Sequence, residues 1–491
     1  MGQAKRIFFA IGCFILWSLL CTLACGEINY IAFIRLALFV SIFFIVCKIP
    51  NKGVINIAII VVGALQAVWA ILQQCGIAGS NSPYFEVTGF SRSSGILGGF
   101  QAIALATALL CQKKTNKVIP FALVSIPLLY SMLISGSRAA IPAFAFATAF
   151  LFREKISALV KAKKWFVFPV CLILIVSIVS LYLYRPESAN ARLLIWKVTA
   201  GIIQDNPIFG IGPGRFRAEY MLYQAKYFTE NPTSIFASVA DNAAYPYNEY
   251  LRITTEYGII GLFLLMFFIF TLFKNAADKD QTCPLLALLV FSCFSFPTEN
   301  PLTSVLFPSL AGCCYTWKST NSNKAIVSVI SAFSFLVTAA SGIWLYLDTE
   351  KHIDKLKNEF CPISERVLFQ RLPHIYTNIR FNSIYWHLQE KYAKLQEPEK
   401  SEYILPTCEN WCSLGCKYLG NGNLETAEKV FREACCMIPT RMLPKYYLWK
   451  VLLMQGRDDE ADELADTILT LKVKVDNTTT LRIIQEVKNS L

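Results

Sequence analysis

The chain has 491 residues, of which 55% are hydrophobic and only 16% charged, with a formal net charge of +12. A soluble domain carries about 25% charged residues, so one water-soluble fold over the whole length is excluded. The excess Lys and Arg lie in short segments between apolar runs, with no basic helix or aromatic-basic motif, which argues against a nucleic-acid partner.

From the N-terminus, Lys5-Arg6 precede an apolar run over 7–25. The run is too long for a secretory signal and lacks a small-residue cleavage site, so it is read as an uncleaved first span. Further apolar runs lie at 29–47, 54–73, 95–111, 118–134, 139–152, 165–184, 257–273, 284–297, 302–317 and 325–347. Most approach the ~20 residues a bilayer requires, which predicts about eleven spans. The runs at 139–152 and 284–297 are short. Beyond Asp348 the sequence turns polar and helical. The expected fold class is all-α: a polytopic transmembrane helical bundle over 1–349 and an extracytoplasmic α-helical repeat domain over 350–491.

The loops sort by charge. Lys5-Arg6, Lys48/Lys52, Lys113/Lys114/Lys117, the 153–164 cluster, Lys274/Lys279 and Lys318/Lys324 alternate with loops that hold little more than Arg92 and Arg138. The positive-inside rule makes the first set cytoplasmic. The N-terminus is then inside and the tail outside. For a bacterial chain this means the inner membrane, with the tail in the periplasm.

Two external segments stand out. One is 74–94, with Thr88-Gly89-Phe90-Ser91-Arg92; the other is the long connection of about 185–256. A long connection without a domain of its own is usually functional, and this one is expected to form re-entrant or surface helices. Arg35 lies inside an apolar run, where a charge is costly and often functional, unless it sits near an interface.

In the tail, Trp411, Leu414, Gly415, Tyr418, Ala427, Phe431, Ala434 and Pro439 fit the tetratricopeptide pattern. Leu448 and Ala461 recur one thirty-four-residue period later. One such unit cannot bury its own face, so two or three are expected, with 375–395 as a weaker preceding unit. The 17 cysteines are scattered and mostly apolar in setting, and His374 and His387 read as tail surface. Cys408, Cys412 and Cys416 share a helical face and are read as packing. An exported tail leaves a disulfide through Cys435 or Cys436 open. No zinc spacing is present, so neither a metal nor a cofactor is expected.

The most distinctive segment is Asp205-Asn206-Pro207-Ile208-Phe209-Gly210-Ile211-Gly212-Pro213-Gly214, followed by Arg215 and Arg217. Its glycines and prolines specify a rigid turn. By itself it reads either as a structural elbow or as a device that delivers two guanidinium groups. Downstream come Tyr245-Pro246-Tyr247-Asn248-Glu249 and then Glu256-Tyr257-Gly258-Ile259-Ile260-Gly261.

With Ser135-Gly136-Ser137-Arg138 and Arg192-Leu193-Leu194-Ile195-Trp196, this constellation resembles the O-antigen ligase/polymerase family, which includes bacterial protein O-oligosaccharyltransferases. The turn residues Asp205, Pro207, Gly210 and Gly212 match closely, and 87–90 more loosely. The resemblance covers roughly 80–270. It implies a membrane glycan transferase that moves a polyprenyl-diphosphate-linked oligosaccharide to an acceptor hydroxyl on lipid A core, a glycan or a protein Ser/Thr. Membrane lipids are further partners, and a protein partner at the repeat tail is a further expectation. Where the family keeps a histidine, this chain has Tyr247. A tyrosine needs a nearby cation to act as a base at neutral pH. The expected catalytic group is therefore Tyr247 polarised by Arg138 or Arg215, with Glu249 able to act as base. Arg192, Arg215, Arg217 and Arg92 are the expected diphosphate ligands, because a guanidinium pairs bidentately with phosphate oxygens. These arginines could instead sit among lipid headgroups. Two rivals remain: an inactive family member acting as a scaffold through its tail, and a transporter, whose usual paired broken spans are not evident.

Overall fold

The computed structural model describes residues 3–25, 30–162, 186–315, 406–471 and 478–490. The expected spans at 165–184 and 325–347, the unit at 375–395, His374 and His387 lie outside the described residues. Among the described residues every regular element is a helix. The membrane part comprises α1 (Gln3–Ala24), α2 (Tyr30–Lys48), α3 (Gly53–Gln74), α4 (Ser94–Thr115), α5 (Val118–Ile134), α6 (Ala140–Leu151) and α7 (Arg153–Ala162). It continues after the long connection with α10 (Glu249–Asn275), α11 (Cys283–Ser292), α12 (Pro301–Ser304) and α13 (Leu306–Cys314). The connection itself folds into α8 (Pro186–Asp205), α9 (Phe216–Glu230) and a 3-10 turn at Ile235–Val239.

Four described helices are long and apolar enough to cross a membrane: Arg6–Ala24, Gly53–Gln74, Ser94–Thr115 and Glu249–Asn275. The runs at 139–152 and 284–297 form helices of 12 and 10 residues. At 1.5 Å per residue neither reaches the ~30 Å of a hydrocarbon core. The run at 302–317 is broken between α12 and α13. The span expected at 257–273 lies in a helical element that begins at Glu249, where Asn248 accepts from the Tyr250 and Leu251 amides, and that is broken at Gly258.

Helix α4 is the most buried of the four long apolar helices. Its small residues permit this. The ring of Phe291 lies where a Cβ on Gly99 would be, and Ala102, Ala104, Ala106 and Ala108 are fully buried. Small side chains let helix backbones approach closely where water supplies no driving force between them. Ala140, Ala143 and Ala147 give α6 a matching stripe.

Among the described residues, the loops of Lys113/Lys114, Arg153 and Lys279 meet at one end of the bundle. Lys113 and Arg153 both pair with Asp280 at 2.7 Å, and Lys114 pairs with Asp278 at 2.6 Å. The opposite end of α4, about 33 Å away at 1.5 Å per residue, faces the long connection.

The tail forms α14 (Cys408–Gly420), α15 (Leu424–Met437), α16 (Met442–Met454), α17 (Asp458–Thr470) and α18 (Thr478–Lys488). The second helix pair starts thirty-four residues after the first. Phe431 packs where a side chain on Gly415 would stand, and Ala427, Ala461 and Ala465 are fully buried in the seam. This tail is not separate from the connection. Leu194, Ile202, Phe216, Tyr220 and Phe228 share one apolar core with Cys408, Trp411, Leu414, Ala434 and Met437.

Candidate active site

A polar cavity of about 480 Å³ opens where the short helices α6 and α11 end below the long connection. Its floor is Ser94 and Gly95 at the start of α4, Ser137–Ala139 before α6, and 294–296 after α11. Its walls are Ser188, Ala191 and Arg192 of α8, Gln224 of α9, the strap 239–243 and Tyr247. Two helix N-termini, those of α4 and α6, lie at this floor. The partial positive charge of their amides favours an anion there.

Three of the residues singled out in the sequence converge on this cavity: Arg138, Arg192 and Tyr247. Arg138 donates to the Ser188 hydroxyl at 2.6 Å. The Arg192 guanidinium stands over the Tyr247 ring, 5.5 Å from its centre. Burial, together with the nearby Arg138 charge, lowers the pKa of Arg192. Two cations are thus held close in a partly dry site, an arrangement that an incoming anion relieves.

Tyr247 differs from expectation. Its backbone has φ +52°, a region a bulky residue rarely occupies. Trp196 of α8 steadies the preceding residue by donating from Nε1 to the Pro246 carbonyl at 2.9 Å, and Phe296 meets the Tyr247 ring edge-on. Burial raises the Tyr247 pKa, and the opposing influence of Arg192 is smaller. The expected lowering by a cation does not occur, because the buried ring loses more hydration than the guanidinium over its face returns. Tyr247 keeps its proton at neutral pH and can donate a hydrogen bond.

The other expected ligands lie elsewhere. Glu249 is buried in an ionic cluster. Arg252 donates from Nε to Glu249 at 2.8 Å and from an η nitrogen to Glu256 at 2.9 Å, and it lies 3.5 Å from Glu299. Thr298 donates to Glu249 through both its amide and its hydroxyl, and Arg35 pairs with Glu299. Arg215, which precedes α9, pairs with Glu219 in its first turn at 3.1 Å. Arg217 is half-buried and Arg92 exposed, and none of these three arginines lines the cavity.

The turn residues have a structural role. Asp205 is exposed, 3.5 Å from Lys226. The turn then docks on a break in α10, where Gly258 has φ +70° and ψ −178°. The Ile259 amide, which a continuous helix would direct to Thr255, donates to the Pro207 carbonyl at 2.9 Å. The freed Thr255 and Glu256 carbonyls accept from Ile211 at 2.9 Å and Gly212 at 3.1 Å. A Cβ on Gly210 would lie 2.5 Å from the Thr255 oxygen, so both backbones require glycine at the crossing. The turn joins the end of α8 and the start of α9 to the break in α10.

Residues 123–266 match the O-antigen ligase family. The matched segment runs from within α5 to within α10 and contains Arg138, Arg192, the docking turn and Tyr247. None of the curated proteins matches the chain. The family supports an O-antigen ligase-like membrane glycosyltransferase, for which a polyprenyl-linked glycan donor and an acceptor are the implied partners.

Within the matched segment, sequence reasoning missed Asp241, Gln224 and Ser188, which all line the cavity. Among the described residues Asp241 is the one carboxylate in that lining, and nothing about its neighbours in the chain marks it. The ionic cluster left a legible trace: Glu249, Arg252 and Glu256 stand at i, i+3 and i+7 on one helix face at a span entry, a spacing at which side chains meet.

Proposed function

We propose that this protein transfers an oligosaccharide from a polyprenyl diphosphate to an acceptor hydroxyl at the periplasmic face of a bacterial inner membrane. The observation that carries the reading is the convergence of Arg138, Arg192 and Tyr247 on one polar cavity at the end of the bundle opposite the basic loops. Its volume lies in the usual range for a small-molecule site, ~300–1,000 Å³.

In this reading the two guanidinium groups bind the diphosphate, and Tyr247 donates a hydrogen bond to a bridging or terminal oxygen. The acceptor oxygen attacks the anomeric carbon, and the bond from that carbon to the diphosphate breaks. The leaving diphosphate takes the electron pair, and the charge it gains is met by Arg138 and Arg192. The acceptor proton passes to Asp241, whose carboxylate is exposed and pairs with Arg441 through Oδ1, rather than to Glu249, which is buried with both oxygens engaged by Arg252 and Thr298. The acceptor is lipid A core, a growing glycan or a protein Ser/Thr.

The opposition of the basic loops and the cavity across α4 supports a cytoplasmic N-terminus. The core shared by the tail and the long connection supports a tail on the cavity's side. The thirty-four-residue offset supports tetratricopeptide-like repeats over 350–491, a fold that suits a protein partner. Incubation of the purified protein with lipid-diphosphate-linked oligosaccharide and each acceptor class tests the reading. Release of lipid diphosphate with one acceptor is the expected result. Absence of release with all of them, from a folded protein, favours the inactive scaffold.

A further inference from the structure

The long connection closes both ends of the first tail hairpin, and the residues that do so line the polar cavity. Asn242 of the strap uses its whole amide on α14. Its Oδ1 accepts from the Cys408 backbone N–H at 3.3 Å, and its Nδ2 donates to Glu409 at 2.7 Å. Gln224 of α9 is fully buried. Its Oε1 accepts from the Tyr220 hydroxyl at 2.8 Å, and its Nε2 donates to the Met437 carbonyl at 2.6 Å and the Asp241 carbonyl at 3.3 Å. Met437 is the last residue of α15, so this bond satisfies one of the orphan carbonyls at a helix end. Arg441, just beyond α15, lies 3.4 Å from both Asp241 and Glu409.

A hairpin docked only for stability would bury apolar surface, as this one does through Trp411 and Met437. It would not need its polar groups on the residues of a cavity wall. The strap carries no regular structure after Val239. Ala240 packs into the core shared with the tail, Asn242 bonds to α14, Asp241 pairs with Arg441, and the Asp241 carbonyl accepts from Gln224. Resting on the donor-site reading above, we propose that the repeat tail is a working part of the polar cavity: through Gln224 and Asn242 it holds the strap 239–243 against bound donor. Gln224 and Asn242 are positioning residues in this arrangement. The tail thereby links occupancy of its own surface to closure of the site, since a partner that shifts α14 or α15 also shifts the strap.

The test uses the full-length protein in lipid nanodiscs, with geranylgeranyl diphosphate as the probe and hydrogen–deuterium exchange as the second readout. Asn242→Ala, Gln224→Leu and Arg192→Ala are compared. Asn242→Ala removes rim contacts without touching the buried core, so it folds even if Gln224→Leu does not. The expected result for Asn242→Ala is faster exchange confined to 235–247 and 406–412. Each lost hydrogen bond lowers probe affinity by about three- to tenfold. In turnover assays the donor KM rises while kcat changes less. Faster strap exchange with wild-type probe affinity and KM overturns the proposal and leaves the donor site intact. Unchanged strap exchange in Asn242→Ala also overturns it. If the wild type binds no probe, or Arg192→Ala binds it as the wild type does, the donor reading fails instead, and the exchange data alone decide whether the tail holds the strap.

Discussion

A Cβ atom on Gly258 would stand 1.7 Å from the carbonyl oxygen of Ile208. The break in α10 and the turn of 205–212 are therefore one unit, joined backbone to backbone. Gly258→Ala cannot keep this crossing, and its φ of +70° adds strain. The expected cost is about 3 kcal/mol or more, the range of a severe backbone conflict. Gly210→Ala should behave alike. Thermal unfolding of the detergent-solubilised variants measures this, and a loss below that of a neighbouring surface substitution would show that the turn does not support the fold.

Arg192 and Arg138 are predicted to act in transfer without supporting the fold. Arg192→Ala and Arg138→Ala should each lower kcat by about 10²–10³-fold, the usual effect of removing one group that stabilises transition-state charge. Arg192→Lys should recover only part, because an ammonium lacks the planar fork. Initial rates of lipid-diphosphate release, alongside unfolding temperatures, separate catalytic from structural loss. Full transfer by both alanine variants would remove the proposed site.

Tyr247 works as a protonated hydroxyl. Its pKa is raised by burial, so Tyr247→Phe should reduce the rate while leaving the limb of the pH profile near neutrality in place. The same shift has a stability consequence. The fold favours the neutral phenol, so its contribution is fully present below the ordinary tyrosine value near pH 10 and is lost as the pH rises through the folded value. The wild-type unfolding temperature should fall more steeply above about pH 10 than that of Tyr247→Phe. Parallel curves would contradict the burial argument.

Asp241 and Glu249 are expected to separate. Asp241→Asn removes the carboxylate that lines the cavity and should lower kcat by about 10²-fold, a typical general-base contribution. Glu249→Gln should act first on stability. If Glu249→Gln abolished transfer at an unchanged unfolding temperature while Asp241→Asn remained active, the base would be Glu249 after all.

Arg252 bonds to two buried carboxylates and lies 3.5 Å from a third. Arg252→Met leaves Glu249 and Glu256 without their cation, and breaking a buried pair from one side costs about 3–5 kcal/mol. A sharp fall in folded yield by size-exclusion chromatography is expected, with partial recovery in Arg252→Met combined with Glu249→Gln. Equal stability of wild type and Arg252→Met would show that the cluster is not a brace.

Much of this protein is decided by short stretches of sequence, because the relevant physics is local. Apolar runs mark membrane helices by their length, and the basic loops form a set of which Lys113, Lys114 and Arg153 meet at one end of the bundle. The turn at 205–212, the helix pairs of the tail and the arginines Arg138 and Arg192 are legible in the same way, through spacing and turn chemistry. Tertiary structure alone decided what these pieces do together. It placed Arg192 over Tyr247, sent Glu249 to Arg252 and away from the cavity, and brought Asp241 into the cavity wall. It also joined Asn242 to Cys408 across 166 positions of chain. Such contacts depend on how a broken helix docks on a turn and how a tail packs on a connection. No periodicity encodes them, because each is set by complementarity between segments far apart in the chain.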